Sequence, residues 1–141
     1  MAKLIEKKLS YKIQGIFIEI SNEYGHLFKE KFYQNILKEK LASNKINYTQ
    51  EPRINIRSFQ TGKIMCLYNP DFEIEGKIII ELKTQKFLAK NQVNQLEQYL
   101  KASNFELGYL VNFGKPKVQI IRRIYTNNNK PWLKVPLASH S

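Results

Sequence analysis

Apolar residues recur along this chain at two different periods. Over residues 10–24 they fall at Ile13, Phe17, Ile20 and Tyr24. A 4-3-4 spacing is one face of an α-helix, with Ser10 as the expected N-cap and Gly25 as the stop. A second helix is expected over 28–42, with a broad apolar stripe of Phe28, Phe32 and Ile36 beside Tyr33, Leu37 and Leu41. Then the period falls to two. Residues 53–59 alternate as a strand and 60–63 make a turn. Residues 64–74 and 77–83 read as the two strands of a hairpin around Gly76. Helical spacing returns over 91–101 through Val93, Leu96 and Leu100. Residues 107–113 form an apolar strand, Gly114-Lys115-Pro116 a turn, and 118–125 a last strand. The order is ααβββαββ. Its strand–helix–strand unit over 77–113 is a crossover that sets its two strands parallel. The expected fold is α/β: a single domain with a mixed β-sheet flanked by helices. The domain is expected to span 1–125. Residues 126–141 read as a polar, proline-bearing, flexible tail, with Trp132 as its one anchor to the body.

Composition narrows this picture. A length of 141 residues fits one domain and allows a core without disulfides or a structural metal. The chain carries 23 basic and 12 acidic residues, a formal charge of +11. Such an excess favours a polyanionic partner, most simply nucleic acid, although a solubilising surface would also account for it. Cys66 is the single cysteine, and His26 and His140 are the only histidines, so neither an internal disulfide nor a zinc cluster is expected. No apolar run approaches the ~20 residues of a membrane span, and the N-terminus lacks an apolar export segment. The expected setting is a reducing cytoplasm, away from membranes.

Candidate chemistry concentrates in NPDFEIEGKIIIELK, residues 69–83. Side chains alternate along a strand, so Ile78, Ile80 and Leu82 share one face and Ile79, Glu81 and Lys83 the other. A hairpin loop of Glu75-Gly76-Lys77 sets Ile74 opposite Ile78, Phe72 opposite Ile80, and Asp71 opposite Glu81. Directly opposed carboxylates repel. A divalent cation between them reverses the sign of that interaction, and Mg²⁺ is held by one or two carboxylates completed by waters and phosphate oxygens. Spacing alone favours a surface ion pair of Lys83 with Asp71 or Glu81, since E-x-K on a strand is common. Pro70 marks a bulge or an edge just before Asp71.

Pro70-Asp71, ten residues, then Glu81-Leu82-Lys83 resembles the PD-(D/E)XK nuclease signature. The wider chain resembles one branch of that superfamily, the GxxExxY proteins. The matching segments are GIFIEISNEYG (15–25), EKFY (30–33), PDFEIEGKIIIELK (70–83), NQLEQYLKASNFELGYLVNFGKPKV (94–118) and IIRRIY (120–125). The resemblance implies a restriction-endonuclease-like core. It places the family's helix glutamate on Glu30, its tyrosines on Tyr33 and Tyr99, and its glutamine on Gln95. The first glycine of the naming motif falls on Leu27. By this likeness Asp71, Glu81 and Glu30 would hold Mg²⁺ or Mn²⁺, and Lys83 would face the attacking water or the phosphate. Gln95 would orient Lys83 or the phosphate. Read from the residues alone, Glu30 is better taken as a solvated helix charge beside Lys29 and Lys31, and the alternative for Gln95 is a helix–sheet hydrogen bond.

The expectation is therefore a metal-dependent nuclease acting on nucleic acid, DNA first, with a homodimer suited to cutting two strands. A non-catalytic nucleic-acid-binding or partner-binding module on the same fold is the alternative. Lys115, Lys117, Arg122 and Arg123 lie in an acid-free stretch and are the candidate phosphate contacts. Arg122 and Arg123 are adjacent on a strand and so point to opposite faces. Tyr125 and Trp132 nearby could stack on unpaired bases.

Overall fold

The computed structural model describes residues 6–134. Two helices come first, α1 (Lys7–Tyr24) and α2 (Glu30–Ser43). Seven strands follow: β1 (Tyr48–Gln50), β2 (Ile54–Arg57), β3 (Ile64–Tyr68), β4 (Phe72–Ile74), β5 (Ile78–Lys83), β6 (Leu107–Asn112) and β7 (Gln119–Ile124). The helix α3 (Lys90–Lys101) links β5 to β6, and two short 3-10 turns, Asn127–Asn129 and Pro131–Lys134, close the described chain. The architecture is the mixed α/β domain that the two periods imply. The main sheet has the order β1-β4-β5-β6-β7, and β2-β3 form a separate two-stranded ribbon. The crossover makes β5 and β6 parallel, whereas every other pair in the main sheet is antiparallel.

The sheet separates two cores. On one face Ile78, Ile80 and Leu82 pack under α1 and α2, against Ile13, Phe17, Ile20, Tyr33, Leu37 and Leu41. On the other, Ile79 and Leu110 pack under α3 and the ribbon, against Leu96, Leu100, Ile54 and Tyr68. Burying each such large apolar side chain contributes about 1.5–3 kcal/mol, so β5, apolar on both faces for three residues, is the central strand. Its charged end, Glu81 and Lys83, projects on the α3 face.

Several boundaries differ from the sequence pattern, each for a physical reason. Ser10 is not an N-cap: α1 starts three residues earlier, and the buried Ser10 hydroxyl lies 2.8 Å from the Tyr109 hydroxyl. The segment 64–74 is two strands in two different sheets. Pro70 cannot donate to a ladder, and the chain passes from the ribbon to the main sheet through Asn69-Pro70-Asp71. Gly25 does end α1, at φ 72°, with its N–H donated to Ser21 O. Lys40 on α2 reaches both Glu19 and Glu23 on α1 and ties the two helices together.

The first part of the polar segment is packed rather than loose. Trp132 is 1% exposed and its Nε1 donates to Lys101 O at 2.8 Å. Lys130 is buried too, and its Nζ donates to Ser103 O and Phe105 O, both at 2.7 Å. Burial pushes the Lys130 amine down to about 8, opposed by the charge of Glu106. Residues 135–141 lie outside the described residues. Among the described residues no helix is long and apolar enough to cross a membrane.

Candidate active site

The turn between β4 and β5 sets the register of the site. Glu75 and Gly76 both take positive φ, 54° and 68°, and Lys77 N–H donates to Ile74 O at 2.9 Å. Two consecutive left-handed residues give the tight hairpin whose twist matches the strands. Glu75 tolerates this conformation because its carboxylate and its N–H both bond to the main chain of Asn47, at 2.8 and 2.9 Å. The resulting ladder pairs Ile74 with Ile78, Glu73 with Ile79 and Phe72 with Ile80. One step beyond it stand Asp71 and Glu81.

Here the backbone leaves the ladder and side chains take over. Asp71 Oδ2 accepts the Leu82 N–H at 2.7 Å, and the Asp71 N–H in turn interacts with the Glu81 carboxylate. Asp71 O accepts the Glu51 N–H at 2.9 Å, which anchors it to the strand on its other side. Burial pushes the Glu81 carboxyl up to about 7, and the neighbouring Asp71 charge adds to the rise. Lys83 and the Asp71 N–H oppose it. Asp71 is also raised, by burial first, against the pull of the Leu82 N–H and Lys83. Glu30, at the start of α2, is raised by burial and then by Asp71, with Lys83 again opposing. Three carboxylates and one lysine therefore share one electrostatic neighbourhood.

The surface ion pair that spacing alone allowed is not made. Among the described residues no ion pair within 4.0 Å joins Lys83 to a carboxylate. Nor do three His, Cys, Asp or Glu side chains among the described residues form a group that could hold a metal by themselves. The expected three-ligand set of Asp71, Glu81 and Glu30 is thus not assembled. Glu30 Oε2 instead accepts Gln34 Nε2 at 3.3 Å, and the same amide nitrogen lies 3.4 Å from Asp71 Oδ1. A pair of carboxylates made costly to ionise by burial and like charge suits a cation completed by water and phosphate oxygens, and Asp71 and Glu81 fit that donor set.

Two participants went unseen in the sequence. Gln34 bridges Glu30 to Asp71. Its signal was an i, i+4 relation to Glu30 on α2. Tyr68 packs face to face on Tyr99 of α3, ring centroids 3.8 Å apart. Burial and then the nearby Glu81 charge hold its hydroxyl well above the usual tyrosine range. Gln95 is exposed, and its amide makes no hydrogen bond among the described residues. It lies one turn before Tyr99, the α3 residue that does connect to the site. Tyr33 holds the α1–α2 junction: its hydroxyl donates to Gly25 O at 2.6 Å and its ring stacks on Phe113 at 4.7 Å.

The loop after Lys83 is clamped. Lys83 is level with Asn112 on β6, and Phe113 N–H donates to Lys83 O at 2.8 Å. The buried Asn112 amide accepts Gln85 N–H at 2.9 Å and Gly114 N–H at 3.0 Å, and donates to Gln85 O at 2.8 Å. A Cβ on Gly114 would sit 2.5–2.6 Å from main-chain atoms of Thr84 and Gln85. Gly114→Ala is expected to cost about 1–3 kcal/mol in a urea-unfolding measurement, because backbone rather than a flexible side chain must move. An unchanged midpoint would mean that this loop is free to shift.

The basic residues divide. Arg123 pairs with Glu97 on α3 at 2.9 Å. Arg122 lies on the opposite face, beside Lys7, Tyr11 and Gln14. Lys115 and Lys117 occupy the β6–β7 turn, at the end of the sheet where Lys83 emerges. Trp132 and Lys130 are buried and unavailable to a nucleic acid. A cleft lined by Glu6, Gly76, Lys77 and Asn104 lies at the opposite end of β5. Asp71 and Glu81 are half-buried, Glu81 near the end of the central strand β5.

The model of the PD-(D/E)XK nuclease superfamily matches residues 7–124, nearly the whole described chain, and the protein belongs to that superfamily. No curated protein matches the chain.

Proposed function

We propose that this protein is a divalent-metal-dependent nuclease of the GxxExxY branch, hydrolysing phosphodiester bonds in DNA. The observation that supports it best is the state of the Asp71–Glu81 pair. Both carboxyls are pushed up by burial, and Glu81 further by the Asp71 charge. Lys83 stands beside them without an ion-pair partner among the described residues. A fold with no use for that arrangement would lower its energy by replacing one acid. Asp71 and Glu81 would hold Mg²⁺ or Mn²⁺, and the ion would polarise the phosphate and acidify a bound water. Asp71 is oriented by the Leu82 N–H and by Gln34. Lys83 supplies positive charge where negative charge develops on the phosphate. Glu30 acts through Gln34 as a positioning residue. Gln95 belongs to the substrate side of α3 in this reading, since no described residue occupies its amide.

Millimolar Mg²⁺ or Mn²⁺ is expected to raise the thermal midpoint, because a ligand bound only by the folded state stabilises it. Asp71→Asn is expected to remove most of that shift. A wild-type midpoint indifferent to both metals, with no cleavage of DNA, would leave only a binding module on this fold.

Phosphate contacts are expected from Lys115 and Lys117. Replacing both by Ala is expected to flatten the dependence of log K on log salt by roughly 0.7–0.9 for each phosphate no longer neutralised. An unchanged slope on duplex DNA would assign the phosphate track elsewhere, with the lysines of α1 and α2 as the next candidates.

A further inference from the structure

A lone exposed aromatic ordinarily needs no explanation. Phe87 differs in its setting. It is 71% exposed on the loop that follows Lys83. That loop is held in place by the two Asn112 hydrogen bonds to Gln85 and by the close approach of Gly114 to Thr84 and Gln85. The ring is therefore presented by clamped backbone. Lys115 Nζ lies 5.7 Å from the ring centroid, a cation on an aromatic face. The two segments that carry the pair are basic: neither 82–96 nor 107–118 contains an acid, while Lys83, Lys86, Lys90, Lys115 and Lys117 all fall in them. An aromatic ring in a cationic frame is the means by which proteins hold an unpaired base, through stacking plus attraction to its phosphates.

We propose that Phe87 and Lys115 form a base-stacking platform beside the Asp71–Glu81–Lys83 site, which selects single-stranded or frayed DNA over continuous duplex. The proposal rests on the nuclease reading of that site and specifies its substrate. In a continuous duplex both faces of every internal base are already stacked on neighbours, so the ring has nothing to bind. At a single strand, flap or frayed end a base face is free, and the phosphates on either side meet Lys86, Lys115 and Lys117.

The test is equilibrium binding in EDTA, so that no cleavage occurs. The probes are a single-stranded oligonucleotide containing 2-aminopurine and a blunt duplex of the same sequence. Phe87→Ala is expected to weaken single-strand binding by about 10- to 100-fold and to abolish the change in 2-aminopurine fluorescence, with duplex binding within about 2-fold of wild type. Phe87→Trp is expected to retain both signals. The exposed position makes loss of the fold an unconvincing explanation for a selective effect. Equal weakening on both probes, no weakening on either, or no single-strand binding by wild type would overturn the platform. Cleavage in Mg²⁺ is scored separately with wild type and Asp71→Asn. Cleavage that depends on Asp71 together with an inert Phe87→Ala sinks the platform alone. A selective Phe87→Ala effect in a protein that cuts nothing sinks the nuclease reading alone.

Discussion

Lys83→Ala is expected to lower the single-turnover rate of DNA cleavage by about 10²–10³-fold, while affinity for the same DNA changes only a few-fold. The magnitude is that of removing one preorganised charge from a site where negative charge develops in the transition state. The small effect on binding follows from the chain's formal charge of +11, of which Lys83 is one among many. Among the described residues its ammonium makes no ion pair within 4.0 Å, so the variant leaves no orphaned ion-pair partner. It does change the site in one respect. Lys83 opposes the rise of Glu30, Asp71 and Glu81, and without it all three carboxyls titrate at higher pH. The residual activity of Lys83→Ala is therefore expected to need a more alkaline buffer. Lys83→Arg, which keeps the charge, is expected to restore the wild-type pH profile with only part of the rate. Cleavage by Lys83→Ala at the wild-type rate would reduce Lys83 to a charge balance for the carboxylates.

The central fact of the site, two acids and a lysine at the end of β5, was legible because strand alternation and a short turn leave little freedom. Once the loop Glu75-Gly76-Lys77 closes the hairpin, the partner of every residue up to Ile80 follows by counting, and Asp71 and Glu81 come next. Helix faces were legible for the same reason, with Ile13, Phe17 and Ile20 buried together. What escaped were features fixed by distant contacts. Ser10 resembles a cap by type, but its hydroxyl is taken by Tyr109, on β6. β1 is three residues, Tyr-Thr-Gln, too short for alternation to register, and it exists because β4 offers an edge to pair with. The segment around Pro70 showed a break but not that the break changes sheets. Lys130 and Trp132 sit in a stretch whose composition reads as solvent-exposed. Two carbonyls left free beyond α3, Ser103 O and Phe105 O, hold the lysine there, and Lys101 O holds the indole. Superfamily membership was carried by spacing and segments together, whereas the role of Gln34 was visible only once α2 was laid across the sheet.

Glu81→Gln is expected to abolish metal-dependent cleavage and, in the absence of metal, to make the protein more stable. Burial and the Asp71 charge raise the Glu81 carboxyl from 4.5 to about 7. Between those values the folded protein keeps a proton that the unfolded chain has released, so stability falls as pH rises through this window. The favourable contribution is fully present below about 4.5 and fully lost above about 7. A shift of this size corresponds to at most about 3 kcal/mol, and the parallel rises of Asp71 and Glu30 act in the same direction. Glutamine mimics the neutral acid at every pH. In EDTA the variant is expected to match wild type near pH 5 and to exceed it by about 1–3 kcal/mol at pH 8, measured by urea unfolding. Added Mg²⁺ is expected to reverse the difference at pH 8, since it stabilises only the protein that retains both carboxylates. Metal affinity of wild type is expected to fall about tenfold for each pH unit below 7, as the proton competes for Glu81. A wild-type stability that is flat from pH 5 to pH 8 in EDTA, or a variant that follows the wild-type curve, would show that Glu81 ionises in the folded protein without cost, and the case for a cation between it and Asp71 would go with it.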